Sequence, residues 1–480
     1  MPLPTIPSGN VASALPTGYN IDNSCRFNSA DSAYMHRTFG TPTNVDKWTW
    51  SAWIKRGKVS TGAAMKLFNA YVDGNAYHMI HWSGGTGADQ VGTYVHDTSG
   101  GTVDNGQRTS GLYRDPSAWY HVCAIYDSGN ASATLRSRFF INGVEPSFSS
   151  DDNPSANQDS VINRAIAHQL GAVQTPAQYF DGYMAEVIFC DGQAYTPDNF
   201  GEYDEDSPTI WKPKDPSGVT FGDNGFWLNF QDSADLGKDV SGQGNHFTEV
   251  NFAATDQSTD TPTNNFCTLN PLDMYYINSS SLAEGNCKWT GSTQYGFGRA
   301  TVALTKGKWY FEVKMTNYDS ADSSIGITGA ATASSTNWLG NGTHQYGYIA
   351  SAGSIYHGNS GTAHGDTYGE GDIIGCYFDL DNNKLYFSKN GTLQNSGTGH
   401  SITAASSTTD GAYSPAFGDS CVTAGHVVQD FNFGGCPAFA ISSGNTDGDY
   451  GNFEYSTTIT GDGSSKTFKA ICTKNIAEYG

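Results

Sequence analysis

The chain has 480 residues, with 47 acidic against 25 basic side chains, a formal charge of −22 and no basic run; that balance excludes a nucleic-acid partner held through its phosphates. Glycine at 57 residues, aromatic residues at 13% and charged residues at 15% describe short strands joined by many turns and exclude a helical bundle. No apolar run approaches the roughly 20 residues that cross a bilayer as a helix, and the opening MPLPTIPSGN has neither the basic nor the apolar region of an export signal, so the expectation is a protein made in a cytoplasm with no membrane insertion.

The length predicts two to four domains, each large enough to bury a core. Residues 1–18 are rich in Pro, Ser and Ala and lack periodicity, which predicts an extended N-terminal arm. Its prolines, Pro4 among them, fix φ before any docking, and Ile6, Val11 and Leu15 offer apolar contacts, so the arm is expected to assemble onto a neighbouring subunit.

A first domain is expected over residues 19–255. WTWSAWIKRG (48–57) alternates as an aromatic-rich strand. WYHVCAIYDSGNASATLRSRFFING (119–143) is a hairpin: Val122, Ala124 and Tyr126 alternate, then Phe139 and Ile141, and Asn142-Gly143 closes it with the positive φ of a tight reversal. FDGYMAEVIFCDGQAYT (180–196) is a further strand. In this order the segments resemble a laminin-G-like, concanavalin A-like sandwich. GFWLNFQDSADLGKDVSGQGNHFT (225–248) resembles a segment that usually precedes the domain in that family, yet here it follows. A circular permutation is geometrically cheap in a sandwich whose ends lie on adjacent strands. It predicts a closing strand with Phe226, Leu228 and Phe230 facing the core.

Residues 256–269, rich in Thr, Asp and Asn without alternation, are expected as an irregular linker. A second domain then covers residues 270–440. Its clearest element is GDIIGCYFDLDNNKLYFSKNG (371–391): Ile374, Cys376 and Phe378 alternate with Gly375, Tyr377 and Asp379, which predicts a strand buried on one face, and Asn390-Gly391 repeats the turn of the earlier hairpin. With GKWYFEVKMT, SSIGITGA, YGYIA, YSPAFG and FNFGG in order, this stretch resembles a SPRY domain. Residues 441–480 form a short C-terminal β extension ending SSKTFKAICTKNIAEYG, which resembles the close of tailed-phage proteins that carry such sandwiches. The fold class expected is all-β: two antiparallel jelly-roll-type sandwiches in tandem.

Catalytic constellations are absent from the sequence. Nine cysteines form no CxxC or zinc-spaced cluster, and several lie on apolar strand faces as small hydrophobes. The 12 histidines include no HExxH, and no G-x-S-x-G elbow occurs. Glu202, Asp204 and Asp206 come nearest to the paired carboxylates of a glycanase, but no alternating strand precedes them and Pro208 follows, which reads as a solvated acidic loop. No cofactor is expected; Ca²⁺ at the scattered loop carboxylates is possible but unsupported by any ligand pattern.

Binding fits better, because aromatic faces in polar loops stack on sugar rings. The candidates are Trp338, Tyr356 and His357 in the second domain, with Trp82 and Asp73 in the first. The resemblances imply a non-enzymatic phage virion protein, a tail fibre or other appendage that binds a host surface glycan or protein. Its expected partners are other virion proteins and itself, as a homo-oligomer with a trimer as one option. A capsid decoration or head fibre protein is the alternative. A secreted carbohydrate-active enzyme would need an export signal and a carboxylate pair.

Overall fold

The computed structural model describes residues 18–59, 61–98, 103–174, 177–275, 280–291, 295–318, 323–330, 338–420 and 426–480. The proposed arm contacts at Pro4, Ile6, Val11 and Leu15 lie outside the described residues. The chain is nearly all β, and it divides between Thr263 and Asn264 into two compact units.

The first unit is a sandwich of two antiparallel sheets. One runs Gln257–Ser258, Ser24–Phe27, Gly182–Asp191, Lys47–Arg56, Trp119–Asp127, Ser137–Ile141, with Phe226–Leu228 added against Gly182–Asp191. The other runs Phe148–Asp152, Val103–Thr109, Val91–Asp97, Ala76–Trp82, Met65–Asp73, Ala167–Leu170, Tyr34–Thr38, Thr248–Val250. Trp48, Trp50 and Ile54 from the first sheet meet Phe68, Ile80 and Trp82 from the second in one core. Phe226, Leu228 and Phe230 are buried in that core, so the out-of-order segment closes the sandwich.

Alternation along Trp119–Asp127 predicts one buried face, and here the fold differs. Cys123 and Ile125 point away from the main core, yet they are buried with Phe140, Ile188, Cys190, Phe200 and Phe221 beneath the segment that follows Gly182–Asp191. Asp191 fastens that cover. Its buried carboxylate accepts from the Thr43, Asn44 and Asn224 amides and from Asn163 Nδ2, at 2.6–3.1 Å. The seven-stranded sheet is therefore covered on both faces, whereas the outer face of the eight-stranded sheet is open over His81, Tyr94 and the row of Tyr71, Tyr77 and His96, and closed over Asn69, Lys66 and Met79, which are buried.

Residues 256–269 are not a free connector. Gln257–Ser258 pairs with Ser24–Phe27. Asp260 forms a fully buried ion pair with Lys55 at 2.6 Å and accepts from Trp119 Nε1 at 3.1 Å. Asp256 pairs with Arg26 at 3.0 Å. Polar composition without alternation suggested a linker because ion-pairing partners 200 residues away leave no local pattern. On the other side of the division, Cys267 N donates to the Ile471 carbonyl and Leu269 begins a strand.

The second unit is also a two-sheet sandwich. One sheet runs Leu269–Tyr275, Gly296–Ala300, Ser414–Asp419, Ser323–Thr328, Gln345–Ile349, Ser354–His357, Ser360–Ala363. The other centres on Val427–Asn432, Lys308–Tyr318, Ile373–Asp379 and Lys384–Lys389. Asn390 and Gly391 have φ of 49° and 78°, and Asn142 and Gly143 have 49° and 77°, so both hairpins turn through the left-handed region as their Asn-Gly pairs predict.

Ile373–Asp379 is likewise buried on both faces. Tyr310, Tyr377 and Tyr386 form a second layer with Phe453, Phe468 and Ala470 from the C-terminal residues. Each hydroxyl is paired: Tyr310 with Glu312 at 2.9 Å, Tyr377 with the Ser456 carbonyl at 3.0 Å and Tyr386 with Asp462 at 2.7 Å. Tyrosine reads as an exposed residue in an alternating pattern, but its ring can be buried once its oxygen has a partner. The extension also joins the sheet, with Lys469–Ala470 running parallel to Lys308–Tyr318, and it ends in a helix, Thr473–Tyr479. The eight described cysteines are buried and unbridged.

Candidate functional site

Cross-strand partners share a face, so register alone lays out the open side of the eight-stranded sheet. One row reads Lys66, His81, Gly92, Arg108, Ser150. The next reads Met79, Tyr94, Gly106, Asp152. A third holds Tyr71, Tyr77 and His96. Gly92 and Gly106 are diagonal neighbours on adjacent strands. A Cβ on Gly92 would stand 1.8 Å from the Gln107 carbonyl oxygen, and one on Gly106 would stand 2.3 Å from that of Thr93, so the close backbone approach admits no side chain.

The result is a depression of about 280 Å³ with a bare backbone floor, walled by His81, Tyr94, Arg108 and Asp152. Beside it the third row forms an aromatic strip: Tyr77 stacks on Tyr71 at 5.7 Å and on His96 at 5.2 Å, and meets Tyr94 at 5.9 Å. All four rings are half-buried. A floor of peptide groups, an aromatic border and a mixed set of donors and acceptors can take a sugar ring, whose hydroxyls need both.

Burial together with the neighbouring Lys66 and Arg108 cations lowers the His81 pKa to about 3, so His81 is neutral at physiological pH. Neither of its ring nitrogens is hydrogen-bonded among the described residues, and its Nδ1 is shielded from solvent.

The site residues expected from sequence fare differently. Asp73 is exposed at a hairpin tip, where it accepts from the Asn75 amide at 2.7 Å and organises the turn. Trp82 is not a surface residue. It points inward from its strand, is fully buried and stacks under the Arg56 guanidinium at 5.1 Å; its polar surroundings in the sequence belong to the loop after it. His81, its neighbour on the opposite face, is the one that reaches the depression.

In the second unit Trp338 and Tyr356 do come together, edge to face at 5.2 Å and half-buried. Gly340, at φ 116°, lets the loop close on the pair, since a Cβ there would stand 2.7 Å from that of Tyr356. His357 points to the opposite side of its strand. It stacks on the buried Tyr346 at 4.4 Å and bonds the Thr343 carbonyl, so it does not share a surface with Tyr356.

Two arrangements look catalytic and are chemically closed. Ser51 Oγ lies 2.8 Å from His121 Nε2, but Trp211 Nε1 donates to His121 Nδ1 at 3.0 Å. The imidazole then carries its proton on Nε2 and donates to Ser51 instead of accepting from it, and burial lowers its pKa to about 3. Asp204 is not part of a solvated loop: it is buried, paired with the buried Lys212 at 3.2 Å, and accepts from the Asp206 and Ser207 amides. Among the described residues no group of three His, Cys, Asp or Glu side chains has metal-binding geometry.

Residues 28–198 match the Concanavalin A-like lectin/glucanases superfamily, and residues 308–435 match the SPRY domain. The chain carries a concanavalin A-like domain followed by a SPRY domain. The chain is 35% identical over 143 residues to Ran-binding protein 9 of Homo sapiens (29% of this chain, 18% of that protein) and 31% identical over 127 residues to ATP-dependent RNA helicase DDX1 of Xenopus laevis (26% and 16%). The chain spans less than a quarter of the length of these relatives. Among solved structures it is similar to the SPRY domain of human HERC1, at 18% identity and TM-score 0.29 over 36% of this chain and 99% of that one. It is also similar to a SAP-like pentraxin of Limulus polyphemus, at 13% identity and TM-score 0.28 over 37% and 80%.

The glycine-floored depression lies in the concanavalin A-like domain, and sequence reasoning missed it. The available signal was glycine inside two strands, Gly92 in VGTYVHD and Gly106 in VDNGQRT, where it weakens the strand unless another group must approach the backbone.

Proposed function

We propose that the chain is a non-enzymatic structural protein of a phage virion, a tail fibre or comparable appendage, whose concanavalin A-like domain binds a glycan on the host surface. The observation that carries the binding role is the depression over Gly92 and Gly106, bordered by Tyr94 and the stacked Tyr71, Tyr77 and His96 on the open sheet face. The virion assignment rests on the phage-like ending SSKTFKAICTKNIAEYG and on the tandem of a concanavalin A-like and a SPRY domain. In this role the SPRY domain offers Trp338 and Tyr356 as a second contact, and residues 1–18 act as the assembly arm of a homo-oligomer.

Gold-labelled antibody against residues 300–430 tests the assignment on purified particles. Label on tail structures is the expected result. Label over the shell would reassign the chain to capsid decoration, and particles that contain the chain nowhere would overturn the virion role.

A further inference from the structure

Three cationic or imidazole side chains in the first row of the open face form no ion pair or hydrogen bond with a carboxylate among the described residues, although Asp152 stands in the next row. Lys66 is 4% exposed, yet its ammonium touches Met79 Sδ at 2.9 Å and forms no ion pair among the described residues. A buried ammonium without a carboxylate is costly, and burial lowers its pKa to about 8. Arg108 is exposed on the rim; it reaches Ser149 Oγ at 3.4 Å through Nε and pairs with no acid among the described residues, which leaves both terminal nitrogens open. His81 stands between them with no hydrogen-bond partner among the described residues. The chain as a whole carries −22, so an uncompensated positive group here runs against its overall charge.

We infer that the depression takes a sugar unit bearing a carboxylate, the carboxylate lying between His81 and Arg108 above Gly92. This deepens the glycan-binding role proposed above and rests on it. His81 and Arg108 lie on strands separated by the one that carries Gly92, about 10 Å apart at two strand spacings, so a ring fits over the glycine with its acid group at the guanidinium. Both terminal nitrogens of Arg108 can then donate to one carboxylate in the paired geometry that fixes orientation. Asp152, on the opposite rim in the next row, accepts from Ser150 Oγ at 3.2 Å and has a second oxygen to accept from sugar hydroxyls. Its negative charge also disfavours a dianion such as a phosphate monoester, which leaves a singly charged acid as the match. Tyr94 presents a ring edge to the apolar face of the same unit.

The test uses the full chain on an array that carries neutral glycans beside their uronic and other carboxylate-bearing counterparts, in low and moderate salt. Carboxylate-bearing glycans should bind about tenfold or more tightly than matched neutral ones, a ratio that falls with salt. Arg108→Ala should abolish the preference, while Arg108→Lys should keep part of it because the charge remains. Arg108 is exposed, so both variants fold, and a thermal melt verifies it. Equal binding of acidic and neutral members would overturn the inference and leave the glycan-binding role standing. A preference that survives Arg108→Ala would also overturn it. Binding to no member of either set, by natively folded protein, would overturn the glycan-binding role and the inference with it.

Discussion

Glu312 is the anchor of the C-terminal extension, and its substitution by glutamine should change how the second unit's stability depends on pH. The carboxylate is fully buried on Lys308–Tyr318. It accepts from the Glu454 and Tyr455 amides at 3.0 and 2.8 Å, from Tyr310 Oη at 2.9 Å and from Asn432 Nδ2 at 3.2 Å. Burial raises its pKa from 4.5 to about 7, against the pull of those four donors. A folded-state pKa above the unfolded one means that the stability contribution is complete below about pH 4.5 and is lost as pH rises through 7. The shift corresponds to about 3 kcal/mol across that window.

Urea unfolding of the wild type and of Glu312→Gln at half-unit steps from pH 4 to 8 isolates this group, because every other titrating side chain is shared. The wild type should lose about 3 kcal/mol relative to the variant over the window, although glutamine is the less stable at low pH, since its amide NH₂ faces donors. Proteolysis of the extension should begin at lower protease in the variant. Identical pH slopes for the two proteins, or a wild type that gains on the variant as pH rises, would refute the reasoning.

Lys66→Met should stabilise the first unit by about 1–3 kcal/mol at pH 7, because a buried ammonium whose pKa falls to about 8 destabilises the fold until pH rises through 8 toward 10.5; a thermal melt that falls instead would show that Lys66 has a hidden partner. Phe226→Ala should cost about 3–5 kcal/mol in chemical unfolding of the first unit, and deleting residues 225–250 should unfold that unit while the second keeps its own transition. Asp191→Ala leaves four donors without their acceptor and should cost about 3 kcal/mol or more; a loss under 1 kcal/mol would mean that water replaces the carboxylate. Trp338→Ala should leave both unfolding transitions within about 0.5 kcal/mol, as expected of a half-exposed ring.

What the sequence made legible is set by the range of the interactions. Strand alternation and Asn-Gly turns are local, so both hairpins, the two sandwiches and the core role of Phe226, Leu228 and Phe230 could be read from neighbouring residues. The covered outer faces could not. Tyr377 and Cys123 are buried by segments distant in the chain, and only the fold brings Phe468 to one and Phe221 to the other. The 256–269 stretch failed for the same reason, because Lys55 and Arg26 define its place. Trp82 and His81 show the sharper limit: adjacent residues of one strand face opposite sides, and a one-residue difference separates the core from the depression. Asp73 is exposed at the end of its strand, Trp338 is half-buried in a loop, and Tyr356 is half-buried within the strand Ser354–His357 and not in a loop between strands. Arg108 and Gly92 carried no motif at all, since a binding face built from cross-strand rows has no contiguous signature.

The most direct measurement is a crystal structure of the full chain with the tightest glycan that it captures. A sugar ring seated over Gly92 and Gly106, with its acid group at Arg108, is the predicted result. A glycan bound at Trp338 and Tyr356, with the open sheet face empty, would contradict the account.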